Sequence, residues 1–293
     1  MRLLNVQTRR LEWFNSSSDV TYAILSHVWD REEILYEDII RDDSASMQKK
    51  HGFAKFANAC KLAARQGHQY LWNDTCCIDK SSSAELSEAI NSMFRYYEDS
   101  LVCFAYLEDV LGPSLDSFPK SKWFTRSWTL QETVAPTRVE FYDRDWNYLG
   151  SKEHLAPTIA SITLIDEDVL LQSARGTDAL NDKSIAKRMS WAANRQATRE
   201  EDVAYSLLGI FDVSMPLLYG EGIIKAFNRL QIEIMKDSPD MSILAWTRES
   251  TTNQSGVLAV HPGDFRGAAN VIPIPRLQEP FAVTNNVIGT PVA

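Results

Sequence analysis

The sequence predicts an α/β fold: a mostly parallel sheet with flanking helices, followed by a helical lobe with short strands. Three observations predict it. Strand-like and helix-like runs alternate through residues 1–150. Within them, Leu101 to Leu107 (L-V-C-F-A-Y-L) is almost wholly apolar, the pattern of a strand buried on both faces of a parallel sheet. Beyond residue 180 the alternation gives way to successive helical stripes. Alternating strands and helices imply crossover connections, so the first half is expected to form a five-stranded, flavodoxin-like sheet between helices.

Taken in order, Val20 to Ser26 is a short β-prone run ending in polar residues. Phe53 to Gln66 sets Phe53, Phe56, Ala57, Cys60 and Ala64 on one helical stripe, with Gly67 as a natural stop. Tyr70 to Ile78 is again strand-like. Ser82, with Glu85 three residues on, starts a helix that runs to about Glu98. Trp123 to Val134 reads as a helix ended before Pro136, and Val139 to Tyr142 as a further strand. In the second half, Ile185 to Asn194 and Arg199 to Phe211 read as helices, the latter capped by Thr198 and Glu201. Pro216 to Gly222 is a turn, and Ile223, Phe227, Leu230 and Ile234 mark another amphipathic helix. Ser242 to Trp246 and Gly256 to Val260 are strand-like, before a stretch with Pro273, Pro275 and Pro280. The expected division is a domain over 1–150, a helical extension over 151–240 and a strand and loop region over 241–293, cut from a longer protein. Trp191, Phe211, Tyr219 and Trp246 are expected in the core of the second part.

Composition narrows the function classes. The 293 residues carry 30 Lys+Arg against 39 Asp+Glu, a formal charge of −9, which argues against a general nucleic-acid or acidic-membrane binder. No apolar run approaches the ~18 residues of a membrane helix, and no apolar segment follows Met1 to Arg10 as a secretory signal would. The cysteines are four, Cys76 and Cys77 adjacent, which suits neither a disulfide scaffold nor a zinc knuckle. Reduced thiols, a cytoplasmic setting and no structural metal are expected. Glycine-rich phosphate loops, a dinucleotide fingerprint, a nucleophile elbow and a zinc-protease motif are all absent.

What remains is a polar and aromatic set at the carboxyl ends of the strands, where open α/β sheets bind ligands. The first strand delivers Ser26, His27 and Trp29, and the second Asp74, Cys77 and Asp79. The helix after the third carries Trp123, Phe124, Arg126, Trp128 and Glu132. Helical spacing puts Phe124, Trp128 and Glu132 on one face and Trp123, Ser127, Leu130 and Val134 on the core face. An indole one turn from a carboxylate suits a flat cationic ring held against Trp128 with Glu132 beside it. The plainer alternatives are a solvated Glu132 paired with Arg126 or Arg138, a core Trp128, a structural His27, and turn or capping roles for Asp74 and Asp79.

Tyr22-Ala-Ile-Leu-Ser-His27-Val-Trp29, Trp72-Asn-Asp-Thr-Cys-Cys-Ile-Asp-Lys80, Ala89-Ile-Asn-Ser-Met-Phe-Arg95 and Trp123-Phe-Thr-Arg-Ser-Trp-Thr-Leu-Gln-Glu132 closely resemble the HET (heterokaryon incompatibility) domain of filamentous fungi. Arg188-Met-Ser-Trp-Ala192, Ala204 to Phe211 and Pro216 to Gly222 resemble the segment that follows this domain in fungal receptors of the NACHT–repeat type. Asp30 stands where the family usually has Gly, and Asn73 where it usually has an aliphatic residue. The resemblance implies a trigger of cell death on hyphal fusion. It further implies kinship with TIR domains, in which a glutamate after the third strand supports NAD⁺ cleavage; Trp128 and Glu132 occupy the matching places here. On that basis Glu132 is the expected catalytic residue, and Ser26, His27, Trp29, Asp74, Asp79, Arg126 and Trp128 the expected substrate-binding set. NAD⁺ or a related nucleotide would be the substrate, with no cofactor. Self-association and an upstream sensor domain or protein would be the partners, and a non-enzymatic assembly module of the same fold is the rival reading.

Overall fold

The structure is a computed structural model that describes residues 1–112, 115–171, 178–247 and 256–273, and the backbone of 282–283 and 288–289. The chain divides into two compact units, Met1–Phe124 with Glu132–Thr158, and Thr125–Gln131 with Ile159–Ala293. Among the described residues no helix is long and apolar enough to cross a membrane.

The first unit is built on a seven-stranded sheet: β1 (Arg2–Asn5), β2 (Leu11–Trp13), β3 (Ala23–His27), β4 (Tyr70–Trp72), β5 (Val102–Tyr106), β6 (Val139–Tyr142) and β7 (Tyr148–Ser151), ordered β2-β1-β4-β3-β5-β6-β7. The four central strands β4-β3-β5-β6 are parallel, as alternation requires. The five strands expected become seven because the antiparallel strands β1, β2 and β7 add to the parallel four. Those three are only three or four residues long, too short to show a period. The β1–β2 turn is fixed by Asn5, whose Oδ1 accepts from the Gln7 and Thr8 amides at 3.1 and 3.2 Å.

β5 is buried throughout, so its alternating side chains contribute apolar burial to both sheet faces in turn. Helix α1 (Phe53–Arg65) inserts Phe56, Ala57, Ala59, Cys60 and Ala63, and Gly67 terminates it in the left-handed region at φ 84°. The stripe is thus rotated from the expected one, leaving Ala64 exposed. Helix α2 (Ser83–Glu98) starts where Ser82 Oγ accepts from the Glu85 amide at 3.3 Å, and it buries Ala89, Ile90, Met93, Tyr96 and Tyr97. The second expected strand is shorter than read. It ends at Trp72 because Asn73 caps a single helical turn, Asp74–Cys77, through its side-chain oxygen.

The continuous helix expected over Trp123–Val134 is broken. Asp109 accepts from Ser121 Oγ at 2.7 Å and from the Lys122 amide at 2.8 Å, which starts a 3₁₀ turn over Lys122–Thr125. Thr125 and Ser127 then exchange backbone bonds with Gln196 at 2.7 and 2.8 Å, and only Thr129–Val134 (α3) is α-helical. Phe124, Trp128 and Glu132 therefore do not share a helical face. Phe124 packs among Phe118, Trp123 and Phe141 instead.

In the second unit, α4 (Ile185–Ala192) is capped by Ser184 and buries Ile185, Met189 and Trp191. α5 (Ile223–Asp237) follows Gly222 and buries Phe227, Leu230, Gln231 and Ile234. Three expected elements are corrected. Arg199–Phe211 forms one helical turn, Asp202–Tyr205, followed by turns. Glu201 does not complete a cap there, because its carboxylate accepts from the Gly220 and Gly222 amides at 2.8 and 3.0 Å. Ser242–Trp246 is no strand: Asp240 caps a 3₁₀ turn at Met241–Leu244 and also accepts from the Ile185 amide. Gly256–Val260 is irregular because the buried Gln231 amide takes both backbone groups of Ala259, at 2.8 and 3.1 Å, where a strand neighbour would. Trp191 and Phe211 are core residues as expected, whereas Tyr219 and Trp246 are half-buried. Pro275 and Pro280 lie outside the described residues.

Candidate functional site

The carboxyl end of β3 carries the first side-chain network. Ser26 is fully buried there, and its Oγ accepts from the Trp123 indole N–H at 2.7 Å while donating to the Glu132 carboxylate. Glu132 reaches this point from α3 and is only 7% exposed, which overturns the plainer alternative of a solvated carboxylate. The break at residues 125–127 resets the helical phase, so the carboxylate turns inward.

Two protonated groups stand close enough to feel the Glu132 charge. The Tyr97 hydroxyl donates to Leu25 O at 3.2 Å; burial first, and then the Glu132 charge, push its pKa well up. Cys103 on β5 is held as a thiol by the same two causes. α3 is anchored at its carboxyl end by Lys152, 2% exposed, whose ammonium donates to Thr133 O at 3.1 Å and Pro136 O at 2.5 Å. Burial brings the Lys152 pKa down to about 8.

A second network surrounds the segment after β3. Glu33 accepts from Lys55 Nζ at 2.5 Å and from the Asp30 amide at 2.7 Å, with His27 Nε2 at 3.8 Å. Burial raises the Glu33 pKa, and Lys55 opposes the rise. Gly52 makes room for it, since a Cβ there would lie 3.0 Å from Glu33 Cα and Oε2. Beside this pair, the Trp29 indole donates to Asp74 at 2.8 Å, and Lys80 Nζ sits 3.5 Å from the Trp29 ring centre. One face of Trp29 is therefore occupied by a cation.

The remaining expected site residues have other engagements. Asp79 Oδ1 accepts from Ser81 N at 3.0 Å and Ser81 Oγ at 2.6 Å, a turn role. Arg126 and Trp128 belong to the second unit. Arg126 pairs with Gln196 through its backbone, and the Trp128 indole bonds to Asp202. Burial raises the Asp202 pKa, opposed by the hydrogen bonds from Tyr219 and Trp128. Ser26 and Glu132 are thus joined directly, and His27, Trp29 and Asp74 stand at the ends of the same parallel strands.

Sequence reasoning missed Trp123, Tyr97, Lys55, Lys80 and Lys152 as members of these networks. Trp123 and Tyr97 were hidden by apolar spacing that also fits core. A signal existed for Lys55, which falls on the stripe of Ala59 and Ala63 at four-residue intervals, a position where a cation needs a buried partner.

Residues 22–114 match the family described as "Heterokaryon incompatibility protein (HET)", and residues 225–278 match one described as "Domain of unknown function (DUF8212)". The first span contains Ser26, His27, Trp29, Asp74 and Asp79, while Glu132 lies beyond it. The chain is also similar to "Vegetative incompatibility protein HET-E-1" of Podospora anserina, 48% identical over 227 residues. That alignment covers 74% of this chain and 16% of the relative. No solved structure matches the chain.

Proposed function

We propose, on the premise that this chain is a HET domain protein, that it is an effector of heterokaryon incompatibility that cleaves NAD⁺ at the Glu132 network. The observation that carries the reading is the Glu132 carboxylate, brought to the carboxyl end of a central parallel strand and held there by Ser26. In this reading the bond from the ribose C1′ to the nicotinamide nitrogen breaks, its electron pair leaving with neutral nicotinamide. Water adds to the oxocarbenium carbon and loses a proton to solvent, giving ADP-ribose. No general acid is needed for the leaving group. The site supplies a fixed anion beside the developing cation, and Ser26, itself fixed by the Trp123 indole, holds that anion in place.

The burial of Glu132 suits an effector that stays silent until it is assembled. Self-association driven by an upstream sensor would open the carboxylate to substrate. NAD⁺ loss should therefore rise faster than linearly with protein concentration. Rates measured over about a hundredfold dilution test this, since mass action makes an assembled species fall faster than total protein. Strictly proportional activity from a monomer would remove the assembly step, and no NAD⁺ loss at any concentration would remove the enzymatic reading.

The same burial favours one second reading, a non-enzymatic assembly module in which Ser26, Trp123 and Glu132 only brace the sheet. Cell killing that persists while cellular NAD⁺ stays constant is its signature.

A further inference from the structure

The second unit contains a cleft of about 550 Å³, within the roughly 300–1,000 Å³ typical of small-molecule sites. Its lining combines three kinds of chemistry: the cations or donors Arg195, Arg266 and His261, the apolar Val203 and Ile223, and the carboxylate of Glu200. These residues come from the loop after α4, the helical turn Asp202–Tyr205, the start of α5, and the 3₁₀ segment Pro262–Ala268 with its cap His261.

The donors are held in place by neutral oxygens. Arg195 is buried, and it donates from Nε to Trp191 O at 3.1 Å and from Nη1 to Arg126 O at 3.0 Å and Thr129 Oγ1 at 2.9 Å. Arg266 donates from Nε to Asn194 Oδ1 at 3.0 Å. His261 Nδ1 accepts from the Gly263 amide at 2.8 Å, which leaves the proton of the neutral ring on Nε2. Burial lowers the His261 pKa and so favours that neutral form. A guanidinium is a permanent cation with several donors, the chemistry that suits the oxygens of a phosphate.

We propose that this cleft binds a phosphate-bearing small molecule of nucleotide size, its phosphate on Arg195 and Arg266 and its ring against Val203 and Ile223. Glu200 offers an acceptor for sugar hydroxyls. The site lies wholly within the second unit and does not depend on the NAD⁺-cleaving reading of Glu132.

The test is calorimetric titration of the 293-residue chain with ADP, and with adenosine as the phosphate-free control. ADP should bind saturably and adenosine should not. Arg266→Glu, at an exposed position, should weaken ADP binding about ten- to hundredfold by removing a charge-assisted contact, with an unchanged melting temperature. Glu132→Gln should leave ADP binding intact. The proposal is overturned if ADP does not bind, if adenosine binds equally well, if Arg266→Glu binds like the parent chain, or if Glu132→Gln abolishes binding while Arg266→Glu retains it.

Discussion

The two units bury polar side chains to different ends. In the second, they bond chiefly to backbone: Gln231 to Ala259, Ser184 to Val271 O and the Lys187 amide, and Glu201 to the Gly220 and Gly222 amides. Each replaces a ladder or cap bond that irregular chain lacks, which is a structural role. In the first unit, buried groups at the strand ends bond to one another: Trp123 to Ser26 to Glu132, and Lys55 to Glu33. Side-chain networks of this kind keep charge and protonatable groups together in a low dielectric, the setting in which chemistry becomes possible.

The largest expected effect breaks the charged pair. Lys55→Met leaves Glu33 buried without its cation and should destabilise the chain by about 3–5 kcal/mol, read from the denaturant midpoint. A loss below about 1 kcal/mol would mean that Glu33 is already neutral in the folded state.

Next, Gln231→Leu orphans both backbone groups of Ala259. A cost of about 1–3 kcal/mol is expected, with faster hydrogen exchange at Ala259 and no change in NAD⁺ turnover. A turnover change in a folded variant would contradict the structural role assigned to Gln231.

Lys152 sharpens the contrast through pH. Its folded-state pKa is about 8, against an ordinary 10.5. Between those values the unfolded chain holds more protons, so the lysine's contribution to stability rises as pH climbs from 8 toward 10. The stability difference between the parent chain and Lys152→Met should shift in the parent's favour over that window. A flat difference would place the ammonium in solvent.

The smallest effect is backbone strain. Gly67→Ala meets no neighbouring atom but must hold φ 84°, so a loss of about 1 kcal/mol is expected in thermal unfolding.

Legibility in the sequence followed element length and the range of the bonds involved. β5 was readable because five consecutive residues are buried on both faces, and α2 because its cap and stripe are local. The Gly67 stop was readable for the same reason. β1, β2 and β7 were not, being short and partly polar. The break before α3 was invisible because Asp109 and Gln196, far along the chain, take the amides and carbonyls that helix continuity needs. The same break hid the site's geometry: Ser26 and Glu132 were both legible as candidates, but their direct bond and the indole behind it depend on where residue 132 falls in a helix that starts at Thr129.

The central claim is tested most directly by Glu132→Gln, with melting temperature and NAD⁺ turnover measured on one preparation of concentrated protein. Gln keeps the shape and still accepts from Ser26, so the stability loss should be modest, about 1–3 kcal/mol for a buried hydrogen-bonded charge. Turnover should fall about a hundred- to a thousandfold, the cost of one preorganised electrostatic contact. A folded Glu132→Gln chain that consumes NAD⁺ at the parent rate would contradict the account.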